Sequence, residues 1–167
     1  MRAMVIMGVA GCGKSSLGAL VAQTIAWPLV EGDDHHSHAN LQKMQSGVPL
    51  TDADREGWLT TLCAQLRAHP HGVVLTCSAL KRAYRERLRQ AAPGIRFVFM
   101  DITRAQAQVR VAARSHAHIF PTTLVDSQFA TLESPTGEAG VLRVDAMAPL
   151  TQLQAEVTTW LAYKETT

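Results

Sequence analysis

Residues 4–15 read Met4-Val5-Ile6-Met7-Gly8-Val9-Ala10-Gly11-Cys12-Gly13-Lys14-Ser15. Four apolar residues ending at a glycine are the pattern of a strand buried on both faces. Gly8 to Ser15 then match G-x-x-x-x-G-K-[ST]. Three glycines let the backbone curl so that successive N–H groups face inward, a nest for phosphate oxygens. The helix opening near Lys14 adds its positive end. Lys14 would reach the β- and γ-phosphates, and the Ser15 hydroxyl would ligate Mg²⁺. Arg2, the apolar run and Val9-Ala10-Gly11-Cys12 also resemble a lipoprotein leader. That segment is shorter than the roughly 15–30 residues of a signal peptide, and the strand-loop-helix context favours nucleotide binding.

Outward from this loop, short apolar runs alternate with amphipathic stretches. Ser15 to Ala26 reads as a helix, stopped by Pro28. Leu29-Val30 is a short strand ending at Glu31-Gly32-Asp33. Thr51 to Asp54 is a capping box, and the helix after it carries Trp58, Leu59, Leu62, Cys63 and Leu66 on one face. Val73–Leu75 and Phe97–Met100 are strands. Leu80, Tyr84 and Leu88 mark a helix between them, and Thr103 to Gln106 caps another. Val141–Val144 is a last strand, and Leu150, Leu153, Val157, Trp160 and Leu161 mark a closing helix. Strands alternating with helices imply right-handed crossovers and a parallel sheet. The expected fold is α/β: a three-layer sandwich with about five parallel strands, helices on both faces and a small lid. Ligands then bind beyond the carboxyl ends of the strands, where Gly8, Asp33 and Ser78 stand.

The chain has 167 residues, enough for one domain and one core. Charged residues are 18% and the net charge is +2, a weaker basic excess than a nucleic-acid binder shows. No apolar run reaches the roughly 18 residues of a membrane span. Three cysteines, Cys12, Cys63 and Cys77, are too few for a disulfide scaffold and point to a reducing, cytoplasmic setting. Cys12 reads as a small filler within the loop. Trp27, Trp58 and Trp160 read as core.

No Asn-Lys-x-Asp guanine-reading motif is present, and the strand at Val73-Val74-Leu75 ends at Thr76-Cys77-Ser78 without an acid. Both observations leave the compact kinases of small molecules. In those an acidic group after the second strand faces the acceptor, the place of Glu31-Gly32-Asp33. The sequence resembles the P-loop gluconokinases, relatives of shikimate and adenylate kinases. The matching pieces are Gly8–Ser15; Glu31-Gly32-Asp33 with His36; Asn40 to Met44; Gly47 to Leu50; Asp52-Ala53-Asp54-Arg55 with Trp58-Leu59; Cys77-Ser78-Ala79-Leu80-Lys81 with Tyr84-Arg85; and Ser127-Gln128-Phe129 with Leu132-Glu133 and Pro135. They span nearly the whole chain. The Cys77–Lys81 and Pro49–Arg55 pieces are the most diagnostic.

The resemblance implies transfer of the ATP γ-phosphate to the 6-hydroxyl of D-gluconate, with ATP and Mg²⁺ as cofactors. It implies one domain over 1–167, with an acceptor-binding segment at about 33–58 and a lid at about 110–124. Asp33 would orient and deprotonate the acceptor hydroxyl. Gly8, Val9, Ala10, Gly11, Cys12, Gly13, Lys14, Ser15 and Ser16 would hold the nucleotide. Glu31 would hold a magnesium-bound water, although the family often has Asp there. His36, Arg55, Ser78 and Lys81 would meet the substrate, Arg55 pairing with its carboxylate. His35 and His38 read as solvated loop residues, and the histidine cluster with Asp33 and Asp34 lacks a spaced partner for a metal site. Lys81, Arg85 and Arg89 share a helical face that reads mostly as solvated. Arg110 and Arg114 lead into Ser115–Pro121, which resembles a lid whose arginines clamp phosphates. The family usually reads Arg-x-Gly-His there; this chain has Ala117 for the glycine, and Arg114 stands one residue too far from His118.

Another kinase of the same fold, acting on shikimate, another sugar acid or a nucleoside monophosphate, is the nearest rival. A nucleotide-binding module without turnover is the rival of another class, and the presence of Lys14, Ser15 and Asp33 weighs against it. Neither nucleic acid nor membrane is expected as a partner. Kinases of this type are commonly homodimers, but the sequence marks no interface.

Overall fold

The computed structural model describes residues 2–114 and 121–165. Its centre is a five-stranded sheet: β1 (Met4–Met7), β2 (Leu29–Glu31), β3 (Val74–Thr76), β4 (Arg96–Asp101) and β5 (Val141–Asp145). All pairings are parallel and the strand order is β2-β3-β1-β4-β5. The crossovers are α1 (Lys14–Ile25), α2 (His38–Gln45), α3 (Asp52–Ala68), α4 (Arg82–Ala91), α5 (Arg104–Arg114) and α6 (Thr123–Thr131), and α7 (Leu150–Glu165) closes the chain. This is the expected α/β sandwich.

The two-residue period of the strands divides the core. Val5, Met7, Leu75, Phe97 and Phe99 face one layer, where Trp58, Leu59, Leu62 and Leu66 of α3 and Leu88 of α4 pack. Met4, Ile6, Val74, Val98 and Met100 face the other, against Leu17 and Val21 of α1, Ala107 and Val111 of α5, and Leu153, Val157 and Leu161 of α7. β1, paired on both edges and buried throughout, lies between the two. Its carboxyl end is where α1 and the loop before it must begin.

The starts of α2, α3 and α5 follow the capping rules. Thr51 and Asp54 close a reciprocal capping box on α3. The Thr103 backbone donates to Gln106 Oε1 and the Gln106 backbone to Thr103 Oγ1, the same device at α5. The Ser37 hydroxyl accepts from the Asn40 backbone at the start of α2. After β2, the chain makes a single 3₁₀ turn, Gly32–His35, before reaching α2.

One expectation is overturned. Arg85 and Arg89 do not lie on a solvated face: Arg85 is wholly buried and Arg89 mostly so. Both guanidiniums bind the Glu138 carboxylate, at 2.6 and 2.9 Å. The buried charge is tolerable because Arg85 also donates to the carbonyls of Ala79, Leu80 and Glu133.

Candidate active site

The loop between β1 and α1 has the conformation its glycines permit. Gly11 and Gly13 stand at φ 83° and 97°, and a side chain on Gly11 would come within 2.9 Å of the Ala107 carbonyl. Val9 and Cys12 turn their side chains into the core beneath. Lys14 folds back across the loop and donates to the carbonyls of Gly8 and Val9 at 3.0 and 3.2 Å. Arg110 grips the loop from outside, donating to the Gly11, Cys12 and Ala146 carbonyls.

Two cavities meet at this loop. The outer, about 490 Å³, is lined by Gly11, Gly13, Lys14, Ser15, Ser16, Glu31, Asp34 and Arg114, with Ala10 and Asp33. The inner, about 420 Å³, is lined by His36, Leu41, Met44, Pro49, Leu50, Arg55, Trp58, Ser78, Leu124, Ser127 and Gln128, among others. Ala10, Lys14 and Asp33 line both, so one ammonium and one carboxylate stand at the junction. A third cavity of about 410 Å³ continues from Gly13, Ser16 and Arg114 to Arg110, Ala146, Ala148, Leu150 and Leu153.

At the outer cavity, Ser15 Oγ donates to Glu31 Oε2 at 3.0 Å, and Thr76 Oγ1 donates to the same oxygen. This brings a hydroxyl and a carboxylate together, hard oxygen donors of the kind Mg²⁺ takes. The longer glutamate side chain is held in place by Thr76, a residue that an apolar strand pattern does not single out.

Asp33 sits in the 3₁₀ turn with its side chain 79% exposed, 3.8 Å from His36 Nε2. The His36 side chain is 5% exposed and stacks on Trp58, with ring centroids 4.4 Å apart. Trp58 is therefore both core and cavity wall, and its Nε1 anchors the 3₁₀ turn through the Gly32 carbonyl at 2.8 Å. Burial pushes the His36 pKa down, Asp33 pulls it up, and Arg55 pushes it down again, with the net shift below the ordinary value. Buried Asn40 donates to the Asp54 carbonyl and lies 3.5 Å from His36 Nδ1, tying α2 to α3 across the cavity rim.

Arg55 lines the inner cavity. Its Nη1 donates to the Leu50 carbonyl at 2.8 Å and to the Tyr84 hydroxyl at 3.3 Å. Tyr84 in turn donates to Asp52. Lys81 binds Asp52 at 2.9 Å and does not line the inner cavity. The hydrogen bonds from Tyr84 and Lys81 hold the Asp52 carboxyl below the usual range. Lys81 is thus linked to Arg55 through Asp52 and Tyr84. His35 and His38 do not line the inner cavity. Among the described residues, no cluster of three or more His, Cys, Asp or Glu side chains is arranged to hold a metal ion. Of the lid expected at about 110–124, Ser115 to Phe120 lie outside the described residues.

The sequence marks Trp58 only as core and gives no role to Gln128, Asn40 or Thr76; the fold brings all four to these cavities or their supports. Gln128 and Asn40 stand inside matching family pieces, the only local signal they carry.

Among described residues no helix is long and apolar enough to cross a membrane. The family described as an AAA domain matches residues 4–135. A gluconokinase of Gluconobacter oxydans (strain 621H) is 44% identical over 146 residues, covering 86% of this chain and 82% of that protein. The thermoresistant gluconokinase of Escherichia coli (strain K12) is 38% identical, over 87% and 85%. The crystal structure of a gluconokinase from Sinorhizobium meliloti 1021 superposes with a TM-score of 0.85 at 38% identity, covering 98% of this chain and 97% of that one. On these matches and this geometry, the chain belongs to the gluconokinase family.

Proposed function

We propose that this chain transfers the γ-phosphate of ATP to the 6-hydroxyl of D-gluconate, giving 6-phosphogluconate and ADP. The observation that carries the reading is the junction: Lys14 and Asp33 stand on the wall shared by a phosphate-loop cavity and a second cavity that contains a fixed arginine. ATP phosphates belong in the outer cavity, on the loop amides and Lys14, with Arg114 at its edge. The nucleoside belongs in the third cavity, beside Arg110.

Gluconate has a carboxylate at one end and a primary hydroxyl at the other. The inner cavity offers a partner for each: Arg55 for the carboxylate and Asp33 for the hydroxyl. Ser78 and neutral His36 supply hydrogen-bonding groups between them, and Trp58, Leu50 and Met44 an apolar wall. Asp33 accepts the proton of the attacking hydroxyl, or orients it, as the oxygen approaches the phosphorus. Lys14 and Arg114 balance charge on the phosphoryl oxygens. Ser15 and Glu31 would hold Mg²⁺, which supplies charge neutralisation on the phosphates when bound. Lys81 acts through Asp52 and Tyr84 to hold Arg55.

The test is ADP release by purified protein with Mg·ATP across D-gluconate, shikimate, related sugar acids and AMP. A response to gluconate well above the others is expected. An equal or stronger response to another acceptor overturns the substrate, and silence across the panel with ATP still bound overturns turnover itself.

A further inference from the structure

Gln128 is half-buried on α6 and reaches across the molecule to the phosphate loop. Its Oε1 accepts from the Ala10 backbone N–H at 2.7 Å, between residues 118 positions apart. The backbone amide can only donate, so chemistry fixes the side-chain orientation: oxygen toward the loop, Nε2 away from it. Gln128 and Ala10 both line the inner cavity, and Ala10 also lines the outer one. α6 is in turn held from behind. Asp126 accepts from Gln108 at 3.0 Å and lies 3.5 Å from Arg104, both on α5, while Leu124 and Val125 are buried. The carboxamide is therefore fixed at one end and mounted on an anchored helix.

We infer that Gln128 is a specificity-determining contact for the acceptor: with Oε1 fixed to the phosphate loop, Nε2 donates to one hydroxyl of the polyhydroxylated substrate. The inference rests on the proposed gluconate reading and deepens it. One side chain then ties recognition of the acceptor to the loop that carries the phosphates. A site built to donate to a hydroxyl discriminates strongly against an analogue lacking it, because the donor is left unpaired.

The experiment is steady-state kinetics of the wild type, Gln128→Glu and Gln128→Met with D-gluconate and its single-deoxy analogues, with thermal melting of each protein. Gln128→Glu keeps an acceptor for Ala10 but places a negatively charged oxygen against an anionic substrate. Its gluconate KM should rise about tenfold or more while its ATP KM moves far less and its melting temperature stays put. Gln128→Met should raise gluconate KM roughly three- to tenfold. That penalty should vanish for the one deoxy analogue missing the paired hydroxyl and persist for the others. An equal penalty on every analogue, or unchanged gluconate KM in both variants, overturns the inference while leaving the gluconate reading intact. A wild type that ignores gluconate overturns both.

Discussion

The Arg85 guanidinium, wholly buried, stands 2.6 Å from the Glu138 carboxylate while its other protons bind the carbonyls of Ala79 and Leu80. Ala79 has φ 46°, a left-handed conformation that a residue with a Cβ adopts at some cost. Its neighbour Ser78 lines the inner cavity. A buried ion pair 53 residues apart in sequence thus fixes the bend that presents a site residue.

Removing one partner leaves the other buried and unpaired. Arg85→Met or Glu138→Gln should each lower unfolding free energy by about 3–5 kcal/mol in urea titrations. The double replacement Arg85→Met with Glu138→Leu should recover part of that loss. Burial alone would raise the Glu138 carboxyl, but hydrogen bonds from Arg85 and Arg89 outweigh it and hold the pKa below the ordinary value. The resulting stabilisation is complete above the unfolded glutamate pKa and fades as pH falls through the lower folded value. Hydrogen-exchange protection around residues 133–139, taken relative to the intrinsic rate at each pH, should therefore fall in acid, and not in Glu138→Gln. An indifferent single variant would contradict the pairing.

These residues also show what local sequence reveals. The phosphate loop, the capping boxes at Thr51 and Thr103 and the strand alternation are legible because their partners lie within a few positions. α2 escapes because only Asn40 in it is buried, so it has no apolar stripe; Ser37 and the Asn40–Asp54 bond hold it instead. α6 likewise buries only Leu124 and Val125. Arg85 reads as surface because the charge that admits it to the core arrives from Glu138, far along the chain. Asp33, Lys14 and Arg55 were legible as chemistry, but that Lys14 and Asp33 share one wall is a property of the strand order.

His36 offers a test of the cavity's electrostatics. Its lowered pKa, set first by burial, implies a neutral ring at pH 7. An NMR titration should place His36 below the ordinary value of 6.5. Asp33→Asn should lower it further, since that carboxylate favours the imidazolium; Arg55→Met should raise it. Because the folded pKa is depressed, the associated stabilisation is present above pH 6.5 and lost as pH falls through the folded value. A titration at or above 6.5, or shifts of the opposite sign, would remove His36 from the buried, Arg55-facing position.

The Ser15–Glu31 contact predicts the metal requirement. Glu31→Gln keeps the shape and an acceptor for Thr76 but loses the charge. The Mg²⁺ concentration for half-maximal activity should rise about 10- to 100-fold, with saturating metal restoring much of kcat. Thr76→Val should shift the same parameter in the same direction but less, because it frees the carboxylate without discharging it. Equal metal dependence in wild type and Glu31→Gln would show that Glu31 lies outside the metal's shell.

On the proposed reading Asp33 and Arg55 meet different ends of the acceptor, so their variants should separate in kinetics. A carboxylate that takes or orients the proton acts where bonds change, so Asp33→Asn should cut kcat by roughly 100- to 10,000-fold with a small change in gluconate KM. If transfer is mostly positioning and electrostatics, the loss falls at the lower end. In the same reading Arg55 grips a carboxylate far from the reacting hydroxyl, so its binding would be equal in ground and transition states. Arg55→Ala should raise gluconate KM by roughly 10- to 100-fold and spare kcat. Arg55→Lys should restore little, because a single ammonium cannot keep the bonds to Leu50 and Tyr84 while presenting a planar fork to a carboxylate. A kcat defect in Arg55→Ala matching that of Asp33→Asn would mean that the arginine faces the phosphoryl group, and the acceptor would then lie reversed in the cavity.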